Sequence, residues 1–232
     1  MTEIKTQLST LLNKIEQFKN SVSDQDKTVK LLAVSKTWPA EKLRIAFNAG
    51  QFSFGENYLQ EALIKISALS DLEIEWHFIG PIQSNKTREI AEHFDWVQSV
   101  DRWKIAQRLS KQRPAELAPL NVCLQINIDD EESKSGIAAD DTLDFAAKIN
   151  QLDNLQLRGL MIIPAKTDDP LQQRDSFHRA RKLYQQLSIL YPSVDTLSMG
   201  MSADMQEAIE QGSTMVRIGS ALFGQRHTLN KT

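Results

Sequence analysis

The stretch KLLAVSKTWPAEKLRIAFNAGQFSFGENYLQEALIKISALSDLEIEWHFIG, residues 30–80, decides the fold. It opens on an apolar run, KLLAVSKT (30–37), and two further short apolar segments follow, QFSFGEN (51–57) and IEWHFIG (74–80). Runs of that length, apolar on both faces, suit strands buried between layers. The intervening AEKLRIAFNAG and LQEALIKISAL carry the longer helical pattern. Pro39 precedes the first and Gly50 closes it, as helix start and stop signals require. Strands that alternate with helices pair in parallel beneath a helical layer.

The same alternation continues downstream. WVQSV (96–100), LNVCLQINI (120–128), LRGLMIIP (157–164), TLSMGMS (196–202) and MVRIGSALFG (215–224) read as strands. Helical patterns lie between them, in KTREIAEHF, RWKIAQRLSKQ, DTLDFAAKINQL, RDSFHRARKLYQQLSIL and ADMQEAIEQG. Eight strand units predict an α/β fold, a closed (β/α)8 barrel, whose usual size of about 250 residues fits this chain. A doubly wound open sheet would need only about five or six strands. Upstream, Ile4, Leu8, Leu11, Leu12, Ile15, Phe18 and Val22 recur at helical spacing and predict an extra amphipathic N-terminal helix. No linker or repeat interrupts the pattern. Residues 1–232 are therefore expected to form a single domain, with barrel and first helix using nearly all of them.

Composition narrows the class. Hydrophobic residues at 41%, charged residues at 25%, nine Gly and seven Pro exclude disordered, collagenous and disulfide-rich chains. Lys and Arg total 27 against 30 Asp and Glu, a net charge of −3, and no run of five like charges occurs. Neither nucleic acid nor an anionic membrane is an expected partner, so a small molecule is the default ligand. The one cysteine, Cys123, sits in LNVCLQINI and reads as a buried, inert thiol. No stretch approaches the roughly 20 apolar residues of a membrane span, and MTEIKTQLST lacks the pattern of a signal peptide. The expected compartment is the cytoplasm, where the triplets Asn85-Lys86-Thr87 and Asn230-Lys231-Thr232 carry no glycosylation meaning.

Barrels of this kind place their chemistry at the C-terminal ends of the strands. Lys36 ends the first strand, where partial desolvation would lower its pKa and favour an amine able to attack a carbonyl. Gly200 and Ser202 close the seventh strand, while Gly219 and Ser220 follow the eighth. The loops after those two strands are the usual phosphate site, where backbone N–H groups at a helix N-terminus meet the anion. A phosphate cradle opposite a strand-one lysine is the arrangement that pyridoxal 5'-phosphate requires, because its aldehyde forms a Schiff base with lysine.

The segments AVSKT, FGEN, WHFIGPIQSNK, SKSG, GLMIIP and SMGMSADMQEAIEQGSTMVRIGSALFG resemble the pyridoxal phosphate homeostasis family, which is alanine racemase N-terminal-domain-like. The likeness runs through almost the whole chain. It implies a fold-type III barrel with pyridoxal 5'-phosphate on Lys36 as a Schiff base. It further implies that Ser202, Gly219 and Ser220 hold the phosphate, that Arg217 faces the pyridine nitrogen and that Asn57 lies near the cofactor. The role implied is cofactor storage or delivery, with apo pyridoxal-phosphate enzymes as candidate recipients. The alternative is an amino-acid racemase or another weak pyridoxal-phosphate enzyme. Racemases of the related fold take a second base from an additional C-terminal domain, for which the residues after Arg226 leave no room. On the same ground a monomer is expected. Trp38 and Pro81-Ile82 depart from the family's usual pattern and bear on access to the mouth.

The physical reading of the residues agrees with what the resemblance implies. Arg217 and Gly219 lie two apart on one strand and so share a face, which points the arginine inward. A guanidinium at the ring nitrogen discourages its protonation and weakens the cofactor as an electron sink. His77 reads either as a residue over the cofactor or as a satisfied core histidine. Lys134 is either a second amine for the cofactor or a loop lysine paired with Asp129, Asp130, Glu131 or Glu132. The four histidines, His77, His93, His178 and His227, show no metal-binding spacing, so no metal is expected. GMSAD starts like a nucleophile elbow but has Asp204 where the second glycine belongs.

Overall fold

The computed structural model describes residues 3–21, 28–131 and 134–225. Val22, Glu132, His227 and the triplet Asn230-Lys231-Thr232 lie outside them. Four of the five side chains in β1 (Lys30–Val34) are buried, as expected for a strand between two layers. It is joined by β2 (Ser53–Glu56), β3 (Glu75–Phe78), β4 (Trp96–Val100) and β5 (Leu120–Asn127). The ring continues through β7 (Leu155–Ile162), β8 (Thr196–Ser198) and β9 (Met215–Ile218), while β6 (Ile137–Ala138) is a two-residue strand beside β5. All pairs are parallel. The order β4-β3-β2-β1-β9-β8-β7-β5, with β4 also paired to β5, closes the (β/α)8 barrel.

The helices are α2 (Ala40–Asn48), α3 (Leu59–Ala68), α4 (Thr87–His93), α5 (Trp103–Gln112), α6 (Thr142–Ile149), α7 (Pro170–Leu190) and α8 (Met205–Glu210). Ahead of them runs α1 (Glu3–Asn20), and α9 (Ser220–Phe223) ends the described elements. In α1 the buried residues are Ile4, Leu8, Leu11 and Ile15, a single i, i+4, i+7, i+11 stripe. Leu12, one position round from Leu11, falls off that stripe and is exposed. The stripe packs α1 against α2, α8 and α9.

Three strands end before their apolar runs do: β1 stops at Val34, leaving Lys36 in the turn beyond it, and β8 and β9 stop at Ser198 and Ile218. Gly200 turns the chain at φ 95° just past β8, and β9 ends at Ile218, so Ser220–Phe223 coil into a helix. The early end of β9 brings the first backbone N–H groups of α9 to the barrel mouth. Inside the barrel, side chains alternate with the strand period of two. Glu75 and His77 on β3, Trp96 and Gln98 on β4, and Met215 and Arg217 on β9 each share a face. Trp76 and Phe78 take the opposite face, where they meet Phe54 and Phe94.

Candidate cofactor site at the barrel mouth

Closure between β9 and β1 is what builds the site. Leu32 pairs with Arg217 and Ala33 with Ile218, so the chain leaving β9 emerges beside the chain leaving β1. Lys36 therefore stands next to Gly219 and Ser220. A Cβ on Gly219 would lie 3.2 Å from the Val34 carbonyl oxygen, a close approach that favours glycine there. The first N–H groups of α9 have no intrahelical acceptor and open onto the mouth. Across from them, Met201 N donates to Asp204 Oδ1 at 2.5 Å, a turn that presents Ser202. Lys36, Asn57, Ser202, Arg217, Gly219 and Ser220 all line one cavity of about 320 Å³, with Met161, Ile163 and Met201 among its apolar walls.

Arg217 enters this cavity from below and is buried. Nη1 donates to Ser198 O at 2.7 Å and to Ser198 Oγ at 2.9 Å, and Nη2 donates to Ile162 O at 2.8 Å. Those three oxygens are neutral. Burial lowers its pKa to about 10, which still leaves a cation at neutral pH. Asn57 supplies a different kind of group. Its Oδ1 is buried and has no hydrogen-bond partner, an arrangement that a donor on a bound molecule would relieve. Gly80 fixes the backbone there, because a Cβ on it would fall 2.1 Å from the Asn57 carbonyl oxygen.

Behind Lys36 lies a charged cluster. Lys65, on α3, donates to Ser35 O at 2.8 Å, to Glu56 Oε1 at 2.7 Å and to Glu61 Oε1 at 2.5 Å. Ser35 Oγ donates to Glu56 Oε1 at 2.6 Å, and Thr37 N donates to Glu61 Oε1 at 2.5 Å. Both neighbours of Lys36 are thus tied to one ion cluster. The ties hold Thr37 at φ 69°, a left-handed conformation that β-branched residues rarely adopt. Glu56 is fully buried, and burial raises its carboxyl pKa despite the nearby Lys65. Sequence reasoning missed these three residues. The available signal was a lysine on the buried stripe Leu59, Ala62, Lys65 of α3.

The remaining candidates separate from the cavity. His77 lies wholly inside the barrel, stacked on Trp96 at 5.1 Å, which makes it a satisfied core histidine. Lys134 donates to Pro164 O at 2.7 Å and pairs with Glu131, and it lines an adjoining cavity of about 330 Å³ that shares Asn57, Ile79 and Ile163 with the first. Trp38 packs 6.0 Å from Phe223 with Lys42 over its ring, flanking α9 and not lining the cavity, while Pro81 and Ile82 line the adjoining one. Cys123 is buried, and burial pushes its thiol pKa well above the ordinary range. Among the described residues no cluster of three or more metal-ligating side chains occurs, and no helix is long and apolar enough to cross a membrane.

Comparison with known proteins fits this geometry. The profile of the alanine racemase N-terminal domain matches residues 6–227. A pyridoxal phosphate homeostasis protein of Pseudomonas aeruginosa is 55% identical over 226 residues, spanning 97% of each chain. One from Haemophilus influenzae is 53% identical over 228 residues, covering 97% of this chain and 96% of its own. The structure of PipY from Synechococcus elongatus PCC7942 with PLP bound superposes with a TM-score of 0.81 at 36% identity, covering 96% of this chain and all of PipY.

Proposed function

Because the chain belongs to the pyridoxal phosphate homeostasis protein family, we propose that it binds pyridoxal 5'-phosphate covalently through Lys36 and serves intracellular homeostasis of that cofactor. The observation that carries this reading is the single cavity in which Lys36 faces Ser202, Gly219 and Ser220 above a buried arginine. Bound there, the cofactor supplies an aldehyde that condenses reversibly with an amine, releasing water. Lys36 supplies the amine. Ser202 and Ser220 hydroxyls and the N–H groups at the start of α9 hold the phosphate. Arg217 faces the ring nitrogen, and Asn57 Oδ1 accepts from a donor on the ring.

Arg217 also bears on storage against catalysis. A cation at the ring nitrogen disfavours its protonation, so the bound ring draws electrons weakly. That disfavours chemistry demanding a full electron sink from the ring. The proposed setting is the cytoplasm, the protein acting as a single domain and a monomer that hands its cofactor to apo enzymes. Holo protein should activate an apo pyridoxal-phosphate enzyme faster than free cofactor dissociates from it. Equal rates would leave storage without delivery. Loss of optical rotation in L-amino acids, abolished by Lys36→Ala, would replace this reading with a racemase.

A further inference from the structure

Polar side chains that cofactor binding leaves unused form one line through the barrel. From the cavity floor, Arg217 Nη1 donates to Ser198 Oγ at 2.9 Å, and Ser198 Oγ donates to Gln98 Oε1 at 2.7 Å. Gln98 Nε2 lies 2.9 Å from His77 Nδ1, and His77 Nε2 lies 2.8 Å from Glu75 Oε1. Ser198, Gln98 and His77 are all fully buried. Glu75 ends the line at the opposite rim, where it accepts from Ser53 Oγ at 2.8 Å and lies 4.0 Å from Lys30 Nζ.

The direction of every link follows from donor counting. Ser198 has one hydroxyl hydrogen, given to the Gln98 carbonyl oxygen. The Gln98 amide must then turn its NH2 to His77, whose Nδ1 accepts. The imidazole proton is left on Nε2, facing the Glu75 carboxylate. Burial lowers the His77 pKa despite Glu75, with Lys30 acting the same way and Asp95 opposing, so the ring is neutral at pH 7. Burial raises the Glu75 pKa, but hydrogen bonds from His77 and Ser53 and the charge of Lys30 outweigh it and hold the carboxyl below its ordinary value. The line thus runs from a cation to an anion with each donor pointing the same way, and it is water-excluded over its central links, where such chains polarise one another.

We infer that Ser198, Gln98, His77 and Glu75 are positioning residues for Arg217, holding its guanidinium on the cavity floor and setting how strongly it acts on the ring nitrogen of bound pyridoxal phosphate. This rests on the binding proposed above. Ser198→Ala deletes the link at the arginine, and His77→Leu breaks the chain at its middle. His77→Gln keeps an acceptor for Gln98 and a donor for Glu75.

The test compares these variants with the unaltered protein after loading with pyridoxal 5'-phosphate. It reads the visible absorption maximum of the bound cofactor and its rate of dissociation. Ser198→Ala and His77→Leu should shift the maximum and speed dissociation about tenfold, the effect of losing a hydrogen bond to a charged group. His77→Gln should restore both readouts toward those of the unaltered protein. If both broken-chain variants load with an unchanged spectrum and dissociation rate, the inference is overturned while the binding site stands. Should His77→Leu fail to fold, Ser198→Ala decides alone. Failure of the unaltered protein to load would overturn the binding reading, and this inference with it.

Discussion

Lys65 ties the loop that carries Lys36 to α3. It is buried, and its three acceptors include the carbonyl of Ser35 and the carboxylate that holds Thr37 N. Replacing it with methionine would leave Glu56 and Glu61 facing each other, and breaking a buried pair in this way costs about 3 kcal/mol or more. Lys65→Met should therefore lower the melting temperature and weaken retention of pyridoxal phosphate. The double variant Glu56→Gln, Lys65→Met should regain part of the stability, a comparison made by thermal unfolding. Gly80→Ala acts on the other wall. Its Cβ has no room beside the Asn57 carbonyl, so cofactor affinity measured by absorbance titration should fall with Asn57 displaced. His77 gives a pH signature. Its folded pKa lies below its ordinary value, so the unfolded chain binds more protons as the pH falls below about 6.5. The stability is present above that pH and is lost below it, by at most about 1.4 kcal/mol per pH unit. Melting curves between about pH 5 and 7 should show a flatter slope for His77→Gln than for the unaltered protein.

Among the elements, α1 links the outer layer to the cofactor site. It packs against α9, whose first turn opens onto the mouth, and against α8, which follows Ser202. Leu8 is almost fully buried in that contact stripe. Leu8→Ala should destabilise by about 2–5 kcal/mol and also loosen cofactor retention, measured by denaturant unfolding and by dissociation of bound pyridoxal phosphate. Periodicity made these elements readable, since α1 and the eight barrel strands each stand out by spacing alone. Lys36, Ser202, Gly219 and Ser220 were readable too, because they stand beside strand ends where this fold places its chemistry. Glu56 and Lys65 were not, because their meeting depends on how α3 folds back over β2. The line from Arg217 to Glu75 was hidden for the same reason, its members coming from β9, β8, β4 and β3. The ends of β1, β8 and β9 extend less far than their apolar runs, which continue into the turns after Val34 and at Gly200 and Gly219.

Across the whole molecule, the site exists because the ring closes. The first and last barrel strands are neighbours, so Lys36 and the Gly219–Ser220 turn meet although nearly the whole barrel sequence separates them. From that seam one polar line crosses the barrel interior to β4 and β3, and Trp96, Cys123 and Met161 pack together on β4, β5 and β7. We propose that this closure makes Lys36 the attachment point for pyridoxal phosphate. The direct measurement is to load the protein, reduce it with borohydride, digest it and locate the modified lysine by mass spectrometry. A phosphopyridoxyl adduct is expected on the peptide containing Lys36. An adduct missing from that peptide, or carried by Lys134 in its place, would contradict that assignment.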